Sequence, residues 1–167
     1  MMSNPDFTHD SPRPSHPVDP SAPRLLAEFA LPSIPGNERR IMEQVVAIVS
    51  QELVLPSRQL DRLKTAVAET AMNAMEHGNG FRADRLATVQ ILRAENQLII
   101  RMTDQGGSGP IPPPPTPDLQ AKLAGLQSPR GWGLFLIKHM VDELRTFADG
   151  HQHIVELVFH LEPTEPQ

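Results

Sequence analysis

Proline decides where this chain can be regular. Of its 18 prolines, six fall within residues 1–23 and six more crowd between Pro110 and Pro117. Proline fixes φ and lacks a backbone N–H, so neither cluster can be a helix interior or a central strand. Outside those clusters only Pro32, Pro35, Pro56 and Pro129 interrupt residues 24–161. The chain thus reads as a tail over 1–23, one domain over 24–162 and a short tail over 163–167. The first tail is Pro, Ser, Asp and His with few apolar side chains, too little to offset its ordering entropy, and is expected to be disordered. The second cluster lies inside the domain, where a stiff loop of that length is usually functional. At 167 residues the chain suits a single domain that buries roughly two thirds of its unfolded surface.

Cysteine is absent, which removes disulfides, thiol nucleophiles, iron–sulfur clusters and cysteine-based zinc sites. Fifteen basic against 20 acidic residues, a net charge of -5, argue against direct nucleic-acid binding, which needs a basic face. No apolar run approaches the ~18 residues of a membrane span, and the N-terminus lacks the basic-then-apolar order of a signal peptide. A soluble, cytoplasmic protein without a membrane partner is expected. None of the lysines Lys64, Lys122 and Lys138 follows a glycine-rich loop, so the GxxxxGK[ST] phosphate loop is missing. The HRD and DFG elements of eukaryotic-type kinases, GxSxG and HExxH are missing as well. His151 and His153 share one strand face beside a turn and read as solvated rather than metal-bound.

Apolar periodicity outlines the domain. Leu25, Ala27, Phe29 and Leu31 alternate as in a strand over 24–31. Asn37 can cap a helix whose apolar face is Ile41, Val45, Ile48 and Val49. Ser57 can cap a second helix, with Leu60, Leu63, Val67, Ala71 and Ala74 in register, that runs out at His77-Gly78-Asn79-Gly80. Residues 86–93 and 97–103 read as a hairpin, 118–124 as a short helix, and 133–144 as an apolar helix carrying Leu134, Ile137, Val141 and Leu144. A last hairpin joins 145–148 to 153–161 through Asp149-Gly150. Strands linked mainly by hairpins, with helices gathered between them, indicate an α+β protein: one largely antiparallel sheet covered on one face by helices.

Three segments carry candidate chemistry. On the second helix Asn73 stands about 40° round from Glu69 and His77 about 80° round, opposite the apolar face. This polar stripe is either a site or a solvated face, which Arg58 and Arg62 would extend. Asp104-Gln-Gly106-Gly107-Ser108-Gly109 follows a strand; it is a carboxylate set beside close backbone approaches, or an ordinary turn. Arg130-Gly131-Trp132-Gly133-Leu134 opens an apolar helix; its free N–H groups make an anion site, or it is a plain helix entry.

In this order and spacing the three segments resemble the GHKL ATPase superfamily of gyrase, sensor histidine kinases and mismatch-repair ATPases. The nearest likeness is to the small anti-sigma factor serine/threonine kinases. Pro117-Asp-Leu-Gln-Ala-Lys-Leu and the stretch from Ser128 to Asp142 look like the lid and following helix of such proteins, and the resemblance spans 24–161. One departure is Ser108, where the family's Asp-x-Gly-x-Gly pattern has its last glycine.

The resemblance implies the histidine-kinase-like ATPase fold, a two-layer α/β sandwich whose sheet is mixed but mostly antiparallel. It implies ATP and Mg²⁺ as cofactors, with a lid over about 105–130. Asn73 would give its side-chain oxygen to Mg²⁺, and Asp104 would accept from the adenine amino group. His77, Gly106, Gly109, Gly131, Gly133 and Leu134 would line the nucleotide, with Arg130 at the γ-phosphate. Glu69 would be the catalytic acceptor for a serine or threonine hydroxyl, since no phosphoacceptor helix pair precedes the domain. The partners would be an anti-anti-sigma factor of STAS type as substrate and a sigma factor held inactive, with a homodimer possible. Two other readings stay open: an ATP-binding regulatory module with little or no kinase activity, and an interaction domain with degenerate nucleotide motifs.

The composition of residues 1–23 predicts that they are dispensable for folding. A truncation starting at Arg24 should keep the cooperative thermal transition of the full chain. Loss of that transition would contradict the domain boundary.

Overall fold

The computed structural model describes residues 22–107 and 132–162. In chain order these form β1 (Arg24–Pro32), α1 (Asn37–Glu52), α2 (Ser57–Asn73), a π-helical turn (Ala74–Gly78), β2 (Leu86–Ala94), β3 (Gln97–Asp104), α3 (Trp132–Met140), β4 (Glu143–Asp149) and β5 (Gln152–His160). The five strands make one sheet in the order β1-β2-β3-β5-β4, antiparallel at every pairing. The expected α+β architecture is therefore present, and no parallel pair occurs among the described strands. The tail up to residue 21, the 118–124 helix, the lid beyond residue 107 and residues 163–167 lie outside the described residues.

One face of the sheet carries the core. Val89 and Ile91 of β2, Leu98, Ile100 and Met102 of β3, and Leu157 and Phe159 of β5 are buried against Ile41, Val45 and Val49 of α1, Leu63, Val67 and Ala71 of α2, and Ile137 of α3. These are the periodic positions of the sequence, which explains why helix period and strand alternation were readable there. β1 differs in detail: its register shifts between Leu25 and Ala27, so Leu26 joins Ala27, Phe29 and Leu31 against the core while Leu25 is exposed. A bulge turns a side chain to the other face.

The opposite face is open and polar along its middle. Glu28, Gln90, Arg101, Glu156 and Arg145 stand in one register row across all five strands. Gln90 donates to Glu28, Arg101 donates to Gln90 and Glu156, and Arg145 lies 3.7 Å from Glu156. Beside this row Leu92, Ile99 and Val158 form a small second apolar cluster.

Neither expected side-chain cap is used. Gly36 precedes α1 and donates its N–H to Glu38 at 2.8 Å, while Asn37, already helical, donates its side-chain amide to the Pro32 carbonyl at 2.8 Å. Pro56 precedes α2, with Ser57 its first helical residue. The larger correction is at α3, which stops at Met140, four residues short of the expected end, so that Leu144 lies in β4. Four bonds take the chain out of the helix there. Arg62, read as solvated, donates to the Met140 carbonyl at 2.9 Å and pairs with Asp142 at 3.1 Å. The Asp142 N–H bonds the Val158 carbonyl at 2.9 Å, and its carboxylate accepts the His160 N–H at 2.7 Å. The last hairpin turns one residue later than expected, at Gly150-His151, because Asp149 pairs with Gln152.

Burial pushes the Asp142 carboxyl up, but the His160 N–H and Arg62 outweigh that and hold it below its ordinary value. A depressed carboxylate adds stability that is present above the unfolded value and lost as pH falls through the folded one. Arg62→Ala should therefore cost about 1–3 kcal/mol in urea unfolding at neutral pH. The gap from the wild type should narrow below about pH 4. An equal gap at pH 7 and pH 3 would show that the ion pair contributes nothing.

Candidate functional site

α2 does not end in an ordinary turn. Its hydrogen bonding widens at the C-terminus, where the Asn79 N–H reaches the Ala74 carbonyl at 2.8 Å and the Phe81 N–H the Met75 carbonyl at 2.7 Å. Such π-bulges cluster at functional sites because they re-aim the residues around them. Here the bulge sets the backbone of Gly78 directly against the end of β3. A Cβ on Gly78 would overlap the Asp104 carboxyl, and a Cβ on Gly106 would overlap the Gly78 carbonyl. Only glycine permits that approach.

Asn79 holds the same junction from the other side. It is fully buried, donates to Ser33 Oγ at 2.8 Å and to the Leu86 carbonyl at 3.1 Å, and accepts the Gln105 N–H at 2.7 Å. Gln105 in turn accepts the Leu86 N–H at 3.0 Å. The exit of β3 is thereby tied to the π-helical turn and to the start of β2.

These ties present Asp104 to a cleft of about 260 Å³. Thr70, Asn73, Ala74, His77 and Gly78 form one wall, Met102 and Asp104 of β3 with His153 and Val155 of β5 form the floor, and Gly133, Leu134 and Ile137 of α3 close the third side. Asp104 is 6% exposed; its Oδ1 accepts the Gly106 N–H at 3.0 Å and stands 3.4 Å from His153 Nδ1. Burial pushes the carboxyl above its ordinary value, with the Gly106 N–H and His153 pulling it back. The cleft thus offers a buried acid at its base, an amide on its wall and mostly apolar lining between, the composition of a site for a flat, partly polar ligand.

Of the candidate residues, Asn73, His77, Asp104, Gly133 and Leu134 meet on this cleft. Glu69 is not one of its walls but stands at the corner: a Cβ on Gly133 would lie 3.2 Å from both side-chain polar atoms of Asn73 and 3.3 Å from Glu69 Oε2. Gly106 sits behind Asp104, packed on Gly78. Gly109, Arg130 and Gly131 lie outside the described residues. The polar stripe is thus no simple solvated face, since Glu69 and Asn73 are both half-buried.

Two residues of the site were not singled out by sequence reasoning. His153, expected to be solvated, has a side chain 19% exposed and turned to Asp104, while His151 sits in the turn. The pairing of Asp104 opposite His153 depends on the β3–β5 register, which no local pattern announces. In the sequence Asn79 stands out only as part of a helix ending.

Among the described residues no three His, Asp or Glu side chains gather as a metal cage. The donors that are present, the Asn73 amide oxygen with the Glu69 carboxylate beside it, are hard oxygen ligands. They fit an ion such as Mg²⁺, which takes one or two protein oxygens and completes its shell with waters and substrate phosphates.

Residues 31–159 match the sequence model of a family described as histidine kinase-like ATPase domain. No curated protein matches the chain in sequence. Among solved structures, the RsbU and RsbW domains of Rv1364c from Mycobacterium tuberculosis share this fold with a TM-score of 0.57 at 17% identity. The match covers 82% of this chain and 33% of that one, so this chain spans about a third of its solved neighbour.

The Asn79 side chain bonds three backbone or side-chain groups in a buried position, so Asn79→Ala should leave several of them unsatisfied. The expected loss is at least about 1–3 kcal/mol of unfolding free energy, read as a lower urea midpoint. An unchanged midpoint would mean that the β3 exit is held elsewhere.

Proposed function

The chain belongs to the histidine kinase-like ATPase domain family, and from that premise we propose that it is an ATP-dependent serine/threonine protein kinase that also acts as an anti-sigma factor. Its substrate is a small anti-anti-sigma factor of STAS type, and free protein sequesters a sigma factor. The observation that carries this reading is the convergence of Asn73, Asp104 and Gly133 on one cleft with Glu69 at its corner. In this family resemblance those four positions divide the work of base, metal, phosphate and acceptor hydroxyl.

The chemistry of each side chain supports its role. An ionised Asp104 accepts hydrogen bonds only, which suits the exocyclic amine of adenine and opposes the carbonyl that guanine presents there. Met102, Val155 and Ile137 give the purine an apolar bed. The Asn73 oxygen and the glycine backbone at the start of α3 hold the phosphate end, with Gly109, Arg130 and Gly131 completing it by resemblance. Mg²⁺, when bound, supplies the positive charge that offsets the phosphate oxygens in the absence of a phosphate-loop lysine. Glu69 orients the partner's hydroxyl and takes its proton as oxygen bonds the γ-phosphorus and the bond to ADP breaks. No described helix is long and apolar enough to cross a membrane, in keeping with a kinase of soluble partners.

Glu69→Gln keeps the side chain's size and removes its basicity. ATP affinity by titration should stay within a few-fold of the wild type, while phosphate transfer to a STAS partner falls by about 10²–10⁴. Asn73→Ala should lose transfer together with the magnesium dependence of ATP binding. Loss of ATP binding in Glu69→Gln would make Glu69 an organiser of the nucleotide site. Tight ATP binding by a wild type that transfers nothing would favour the regulatory binding module instead.

A further inference from the structure

We propose that His153 is a specificity-determining residue of the cleft: it donates its Nδ1–H to Asp104 and so keeps that carboxyl an acceptor, which admits a purine with an amino group at C6 and refuses one with a carbonyl there. This inference rests on the nucleotide reading above and names the residue that makes its base recognition selective.

A buried carboxyl can hold either role. Protonated, it gains an O–H donor and can bond a guanine carbonyl; ionised, it can only accept. The environment of Asp104 leans toward the proton, because burial raises it. What opposes protonation is therefore what sets the choice of base. Two groups oppose protonation at Oδ1, the Gly106 N–H at 3.0 Å and His153 Nδ1 at 3.4 Å, and the His153 backbone N–H adds a third contribution. Among the described residues no arginine or lysine shares the work. Arg101, three residues before Asp104, points to the opposite face of the sheet and is bonded to Glu156 and Gln90. His77 is the other titratable side chain on the cleft, on the far wall.

The imidazole is held for this task. His153 stands directly opposite Asp104 in the β3–β5 ladder, where facing side chains come within about 5 Å at Cβ. Its Cε1, Nε2 and Nδ1 lie so close to Gly107 that a Cβ there would overlap the ring. Packed on Gly107, the ring has Nδ1 toward the Asp104 carboxylate, and a bond to that anion sets the tautomer as Nδ1–H.

The test compares ATP and GTP dissociation constants of the full chain by titration at one pH. The wild type should prefer ATP. His153→Leu fills the space without a donor and should lower the ATP:GTP preference by about tenfold or more, the value of one charge-assisted hydrogen bond. His153→Asn carries an amide N–H where Nδ1 stood and should keep the preference within a few-fold. Gly107→Ala should lower it with the histidine still in place, and serves where His153→Leu fails to fold. A folded His153→Leu or Gly107→Ala with unchanged preference overturns this inference alone. So does His153→Asn that loses the preference as fully as leucine. A wild type that binds neither nucleotide, or both equally, overturns the nucleotide reading and the inference with it.

Discussion

The contact on which the structure turns is the stack of Asp104, Gly78 and Gly106. The peptide of Gly78 lies between the carboxyl of one and the backbone of the other, closer than any Cβ would allow. This brings the end of the helix layer down onto the end of β3, and the cleft exists because the two layers touch there and part beyond it. The stack also buries an acid. A carboxyl whose folded value is raised gives stability that is present in acid and lost as pH rises through that value. Near neutrality the ionised Asp104 is thus a cost to the folded state, of the sort that functional sites carry and cores elsewhere repay. A ligand amine that bonds the carboxylate offsets part of it.

Much of this was readable beforehand, and the reason is periodicity. Ile41, Val45 and Val49, or Val89 and Ile91, repeat at the spacing of their element and are buried where that spacing puts them. Asn73, Asp104 and Gly133 were found by order and motif. What escaped were effects of tertiary pairing. Arg62 looks like a surface cation until Met140 and Asp142 arrive from 78 and 80 residues away. The end of α3 cannot be foreseen from its apolar run, because β5 competes for Asp142. His153 acquires its place only through register, and Asn79 through bonds to residues on three other segments.

The open face of the sheet shows a different economy. Its central row of Glu28, Gln90, Arg101, Glu156 and Arg145 alternates acceptors and donors, so that the nearly buried Glu156 meets two guanidiniums. Breaking one partner of such a row leaves a charge short of compensation, whereas the row as a whole contributes little net energy. Its physical effect is to favour one pairing register, since a slip by one residue would place like against like or charge against apolar side chains.

The sheet order β1-β2-β3-β5-β4 carries a consequence for how the molecule assembles. Three units are local in the chain: the α1–α2 pair, the β2–β3 hairpin and the β4–β5 hairpin. Joining β3 to β5 closes a loop of about 50 residues between Asp104 and His153, and such closures are slow because their entropy is lost before contacts form. The cleft lies where these units meet, with Asn73 and Gly78 from the first, Asp104 from the second and His153 from the third. No partly assembled chain contains the pocket. Occupancy of the cleft therefore reports completion of the whole architecture, and a bound ligand stabilises all three units at once rather than any one of them.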